Sequence, residues 1–143
     1  MIEQTIELWK NLIRLHGDLL VIAVKEYQAL IIQDIEEIEK ITSDKEEILR
    51  QIILVDDYRV NLINNLKAKN TQDLVELWKN DVRSGDLIKY NQQLKDVISK
   101  IKEQNVKNQL FYHKLMKSLS LLKKEFKKGG NYQVYDKRGL TTE

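Results

Sequence analysis

The sequence predicts an all-α fold: an antiparallel bundle or coiled coil of long helices, about three long and one short, with a C-terminal tail. Three observations predict it. The 143 residues contain no proline, where average usage of about 5% would give roughly seven. Three of the five glycines, Gly129, Gly130 and Gly139, fall in the last fifteen residues, so residues 1–128 hold few helix breakers. Apolar residues recur at three- and four-residue spacing almost throughout, the signature of amphipathic helices. The expected organisation is one helical domain over residues 1–128 and a tail over 129–143.

The first helix carries the stripe Ile2, Ile6, Trp9, Ile13, His16, Leu20, Ala23, Tyr27 and Leu30, with a second stripe of Leu8, Leu12, Leu15, Leu19 and Ile22 beside it. Two adjacent stripes predict a wide buried face, as in a multi-helix bundle. The second helix carries Ile38, Ile41, Ile48, Ile52, Val55, Leu62 and Leu66. Lys45 and Arg59 interrupt it and are expected to lay their stems along the stripe with their charges in water. Two break points are open: Asp34, capping a turn with Glu36 and Glu37 in it, or the Ser43-Asp44-Lys45-Glu46 box. Asp34 is preferred because it yields two helices of similar length. Thr71 is expected to cap a short helix over Gln72–Asn80, and Ser84-Gly85-Asp86 to form a loop. A long last helix from about Asp86 to Lys128 carries the seam Leu94, Ile98, Ile101, Asn105, Asn108, Tyr112, Leu115, Leu119, Leu122 and Phe126. Gly129 and Gly130 stop it.

Composition excludes several functions. There is no cysteine and there are only two histidines, so disulfide frameworks, thiol nucleophiles and histidine-rich metal centres are out. No glycine-rich phosphate loop, zinc-protease motif or nucleophile elbow is present, and no catalytic residue, metal ligand or cofactor site is expected. His16 reads as a hydrogen-bonded core or boundary residue and His113 as a surface one. The longest apolar run, Leu19–Val24, is far short of the ~18 residues of a membrane span, and the N-terminus lacks the pattern of a signal peptide. A cytoplasmic protein without stable membrane insertion is expected. Charge is uneven: residues 1–66 hold seven basic and thirteen acidic side chains, residues 67–143 seventeen and nine. The lysines of 114–128 come without arginine, the usual phosphate and base reader, so no nucleic-acid partner is expected.

The last helix has more apolar residues than one seam needs. Leu110, Phe111, Met116 and Leu121 lie off the stripe, and a helix apolar on several sides is either deeply buried or offers a face to another chain. Asn105 and Asn108 occupy seam positions where the pattern expects leucine. They read either as a register device or as hydrogen-bonding groups for a partner segment. Self-association as a homodimer satisfies the same pattern. Tyr132 and Tyr135 sit in a glycine-flanked tail that could dock an aromatic ring into another protein.

Four segments together resemble a known family: Ala29-Leu30-Ile31-Ile32-Gln33-Asp34-Ile35-Glu36-Glu37-Ile38, Asp44-Lys45-Glu46-Glu47-Ile48-Leu49, Glu103-Gln104-Asn105-Val106-Lys107-Asn108-Gln109-Leu110, and Tyr135-Asp136-Lys137-Arg138-Gly139. In order and spacing the chain resembles the FlgN-type flagellar type III export chaperones over nearly its whole length. One departure is Gln33, where the family's corner commonly has glycine before aspartate. The resemblance implies a cytoplasmic chaperone with no cofactor and no catalysis. It would bind hook–filament junction proteins of the FlgK and FlgL type, prevent their premature assembly and deliver them to the export gate. Cargo recognition would fall on Asn105, Asn108, Leu110, Tyr112, Leu115, Met116, Leu119 and Leu122. Tyr135, with Gly139, would contact the cytoplasmic domain of the gate component FlhA. The alternative is a self-assembling structural or adaptor coiled coil without a client.

Overall fold

The computed structural model describes residues 1–129, with side chains to Lys127. Four helices follow in order: α1 (Ile2–Ile31), α2 (Ile35–Asn65), α3 (Thr71–Leu77) and α4 (Ser84–Gly129). The three long helices run up, down and up. Both α2 and α4 pack along α1, and α3 packs on the start of α4.

The first corner lies at Asp34, not at Ser43. Asp34 caps α2 by accepting from the Glu37 amide at 3.2 Å. Its own amide donates to the Ala29 carbonyl at 3.0 Å, and the Gln33 amide to that of Leu30 at 3.2 Å. These two bonds form a Schellman stop, which needs a left-handed residue, and Gln33 supplies it with φ 57°. α2 ends in the same way. Ala68 donates to Ile63 and Lys67 to Asn64, with Lys67 at φ 58°.

Three expected boundaries shift. Asn70, rather than Thr71, caps α3: its side chain accepts from the Asp73 amide at 3.0 Å, and Asp73 accepts in return from the Lys69 amide at 2.8 Å. The second bond reaches the residue before the cap, so the pair is a capping box shifted back by one residue. α3 then stops at Leu77, short of Asn80. Ser84 and Gly85 belong to the first turn of α4, because the Leu87 amide already donates to Arg83. Arg83 grips Asp81 through Nε at 3.1 Å and Nη2 at 2.8 Å. It also reaches Glu3 at 2.7 Å, so the turn is tied to the start of α1.

The core lies in two clusters at opposite ends of α1. Trp9, Leu12, Ile63, Leu74, Leu87 and Leu94 form one. Ala29, Leu30, Ile38, Ile41, Leu115 and Leu119 form the other, at the hairpin corner. Among the described residues of α4, buried Leu87, Leu94, Ile101, Asn108 and Leu115 follow a seven-residue step, and buried Leu119 comes four residues after the last of them. Thr5, Leu12, Leu19 and Glu26 step in the same way on α1. The α1–α4 seam is therefore a parallel heptad packing.

Candidate functional site

The candidate surface is the second half of α4, and its inner face is already occupied. Asn108 is 4% exposed. Its Nδ2 donates to the Ala23 carbonyl at 2.9 Å and to Glu26 Oε1 at 2.8 Å, and its Oδ1 accepts from Gln104 Nε2 at 3.0 Å. Glu26 Oε1 also accepts from Lys45 Nζ at 3.3 Å. One amide, one carboxylate and one ammonium thus join all three long helices. A buried polar group is tolerated when its bonding is complete, and among the described residues no buried side-chain polar atom lacks a partner. Asn108 is the register device of the two readings. Lys45 ends on a buried carboxylate rather than in water. Arg59 turns to Asp56 on its own helix at 2.6 Å.

Leu115 and Leu119 are likewise core residues of the cluster at the corner. Of the residues read as a surface for cargo, Asn108, Leu115 and Leu119 are buried in the packing of α4 on the other long helices. Tyr112 and Met116 are half-buried against the same cluster, and Asn105 is half-buried. Phe111 faces inward too, its ring edge-on to Tyr27 at 5.1 Å and 89°. The outward face keeps Val106, Leu110, Leu121 and Leu122, all exposed. Val106, Leu110 and Leu121 are spaced by four and eleven residues, which places them on one side of the helix. Lys107, Lys114 and Lys117 flank them, exposed, and the ammonium of Lys114 lies 4.5 Å above the Phe111 ring. Tyr135 and Gly139 lie outside the described residues.

A second feature is the groove between α2 and α4 over α1. It holds about 550 Å³ and is lined by Trp9, His16, Ile52, Asp56, Asn91 and Ile98 among others. Trp9 Nε1 donates to Asn91 Oδ1 at 3.1 Å, and Thr71 Oγ1 donates to the same oxygen at 3.3 Å. His16 is half-buried, with Nδ1 donating to the Leu12 carbonyl at 2.7 Å; His113 is exposed. α2 adds Leu49, Ile53, Leu54, Tyr58 and Val60 as exposed apolar side chains.

Glu26 was missed by the sequence reading. A charged residue is expected outside, and the 4–3 stripe chosen for α1 passes it by. The signal was its place seven residues after Leu19 and fourteen after Leu12.

A helical hairpin with its corner at Asp34 and a long last helix with an Asn-x-x-Asn step inside it fit the three resembling segments that lie among the described residues. The model of the FlgN protein family matches residues 1–143, the whole chain. The chain belongs to the FlgN family. It is thereby placed among flagellar export chaperones, a family of binding proteins rather than enzymes. No curated protein and no solved structure matches it. Among the described residues no helix is long and apolar enough to cross a membrane.

Proposed function

We propose that this FlgN-family chain is a cytoplasmic chaperone that holds hook–filament junction proteins of the FlgK and FlgL type and hands them to the export gate. The observation that carries the client site is the outward stripe of α4, where Val106 is 68% and Leu110 56% exposed on a helix whose opposite face is fully packed. Apolar groups displayed this way favour a partner helix lying along them. Burial contributes roughly 25 cal/mol per Å² of apolar surface. The flanking lysines favour a client segment with an acidic edge.

Of the residues first assigned to cargo, Leu110 and Leu122 remain as contacts, with Asn105, Tyr112 and Met116 at the margin. Asn108, Leu115 and Leu119 support the surface from beneath. Gate recognition rests on Tyr135 and Gly139, meeting the cytoplasmic domain of FlhA.

The test is co-purification of a junction protein with Val106→Asp together with Leu110→Asp. Helicity should be unchanged and capture lost; full capture by the folded variant would overturn the client site. Tyr135→Ala should leave capture of the client intact and weaken retention on immobilised FlhA cytoplasmic domain. Equal retention would remove the tyrosine from the handover.

A further inference from the structure

The outward face of α4 is one-sided in charge. Between Glu103 and Glu125 lie 21 positions without an acidic residue, and they hold five lysines and His113. Lys107, Leu110, Lys114, Lys117, Leu121 and Lys124 follow one another in steps of three and four, and all six are exposed. That spacing sets them in one stripe, about 25 Å long at 1.5 Å per residue. Buried Ile101, Asn108, Leu115 and Leu119 lie across the helix from it, so the stripe looks away from α1.

Among the described residues none of these four lysines takes part in an ion pair. No arginine stands between Arg83 and Arg138. Lysine is a point charge on a flexible stem, without the fork that grips one phosphate in fixed geometry. A row of lysines therefore suits a diffuse layer of anions. Leucines interleaved with them add an apolar contact, and the lysine stems can lie along that contact with their ammonium groups raised. The acidic side chains are elsewhere: exposed Glu36, Glu37, Glu39, Glu46 and Glu47 belong to α2, which packs on α1. A plane laid against the stripe meets α4 first and leaves the acidic helix set back.

We propose that this stripe is a peripheral docking site for an anionic lipid surface. α4 lies in the headgroup plane, with Leu110 and Leu121 reaching toward the acyl boundary and Lys107, Lys114, Lys117 and Lys124 meeting the anionic headgroups. The helix rests on the bilayer and does not cross it. Docking of this kind goes beyond the client reading and does not rest on it. It draws on the charge of the whole stripe as far as Lys124, whereas the client site is centred on Val106 and Leu110.

Flotation of the full chain with phosphatidylcholine vesicles, with and without phosphatidylserine, tests it. The chain should rise with the phosphatidylserine vesicles and stay below with phosphatidylcholine alone, and added salt should weaken the binding. Lys117→Glu with Lys124→Glu should lower the partition coefficient about tenfold or more, while Lys117→Arg with Lys124→Arg should keep it. Leu121→Asp should lower it as well, by removing the apolar contact. Circular dichroism checks that each variant keeps its helices. A chain that ignores phosphatidylserine would overturn the proposal, and so would a folded charge-reversal variant that floats like wild type. Tighter retention on single-stranded RNA than on the anionic vesicles would assign the stripe to a nucleic acid instead. The vesicles carry no protein, so failure here leaves the client site standing, and failed client capture leaves the flotation result standing.

Discussion

The amide of Asn108 and the carboxylate of Glu26 meet at 2.8 Å inside the seam between the first and last helices, and Lys45 of the second helix closes on the same oxygen. A hydrophobic seam of seven-residue period can slide by one repeat with little loss. A hydrogen-bonded pair at one level cannot, and this is the best attested use of buried polar groups.

Asn108→Ala should therefore cost about 1–3 kcal/mol, the penalty for removing one partner of a buried group. Asn108→Asp keeps the shape but sets two carboxylates against each other. It should cost more at neutral pH and recover part of the loss on acidification, because protonating either group removes the repulsion. Urea unfolding at two pH values checks both.

Leu115→Ala and Leu119→Ala should each destabilise by about 2–5 kcal/mol, as for large-to-small changes in a packed core. Leu110→Ala should shift stability by no more than about 0.5 kcal/mol, as for surface sites. The same urea curves separate them, and a small loss at Leu119 would contradict its place beneath the corner.

Gln33 and Lys67 hold the left-handed positions that stop α1 and α2. Side chains are disfavoured there by about 1–2 kcal/mol per residue. Gln33→Gly and Lys67→Gly should each raise stability by about 0.5–1 kcal/mol after allowing for the added freedom of the unfolded chain. Thermal midpoints of the two variants give the answer, and lower midpoints would deny the corner geometry.

The hydrogen bonds from Arg83, two from its guanidinium and one from its backbone amide, hold the Asp81 carboxyl at about 2, below its ordinary 3.8. A carboxyl lowered on folding adds stability above its unfolded value and loses it as the pH falls toward its folded value. The loss should therefore run from about pH 4 down to about pH 2. Asp81→Asn should be less stable than wild type near neutrality and flatter across that window, as measured by unfolding at stepped pH. A variant with the wild-type slope would show that Asp81 carries none of it.

The helices were legible because their signals are local. Spacing, the absence of proline and the Asp34 cap each speak within a few residues. The depth of Leu115 and Leu119 was not legible. Their stripe shows that they face a neighbour, but it does not say whether that neighbour is α1 or a client. Only the register set by Glu26 and Asn108, residues 82 apart, decides it. Phe111 looked like an outward residue for the same reason: its inward turn depends on Tyr27, which one helix alone does not reveal. The Asn70 cap lay one residue before the expected one because asparagine and threonine both fit the position.

Because α1 is the shared support of α2 and α4, its two faces are filled at different times during synthesis. The hairpin with α2 can close once about half the chain has emerged. The seam that ends at Asn108 and Leu115 has no counterpart until the last helix is made. Contacts of such long sequence separation are slow to form, and exposed apolar surface invites misassociation meanwhile. This chaperone-family chain thus passes through a nascent stage in which its own first helix is half uncovered.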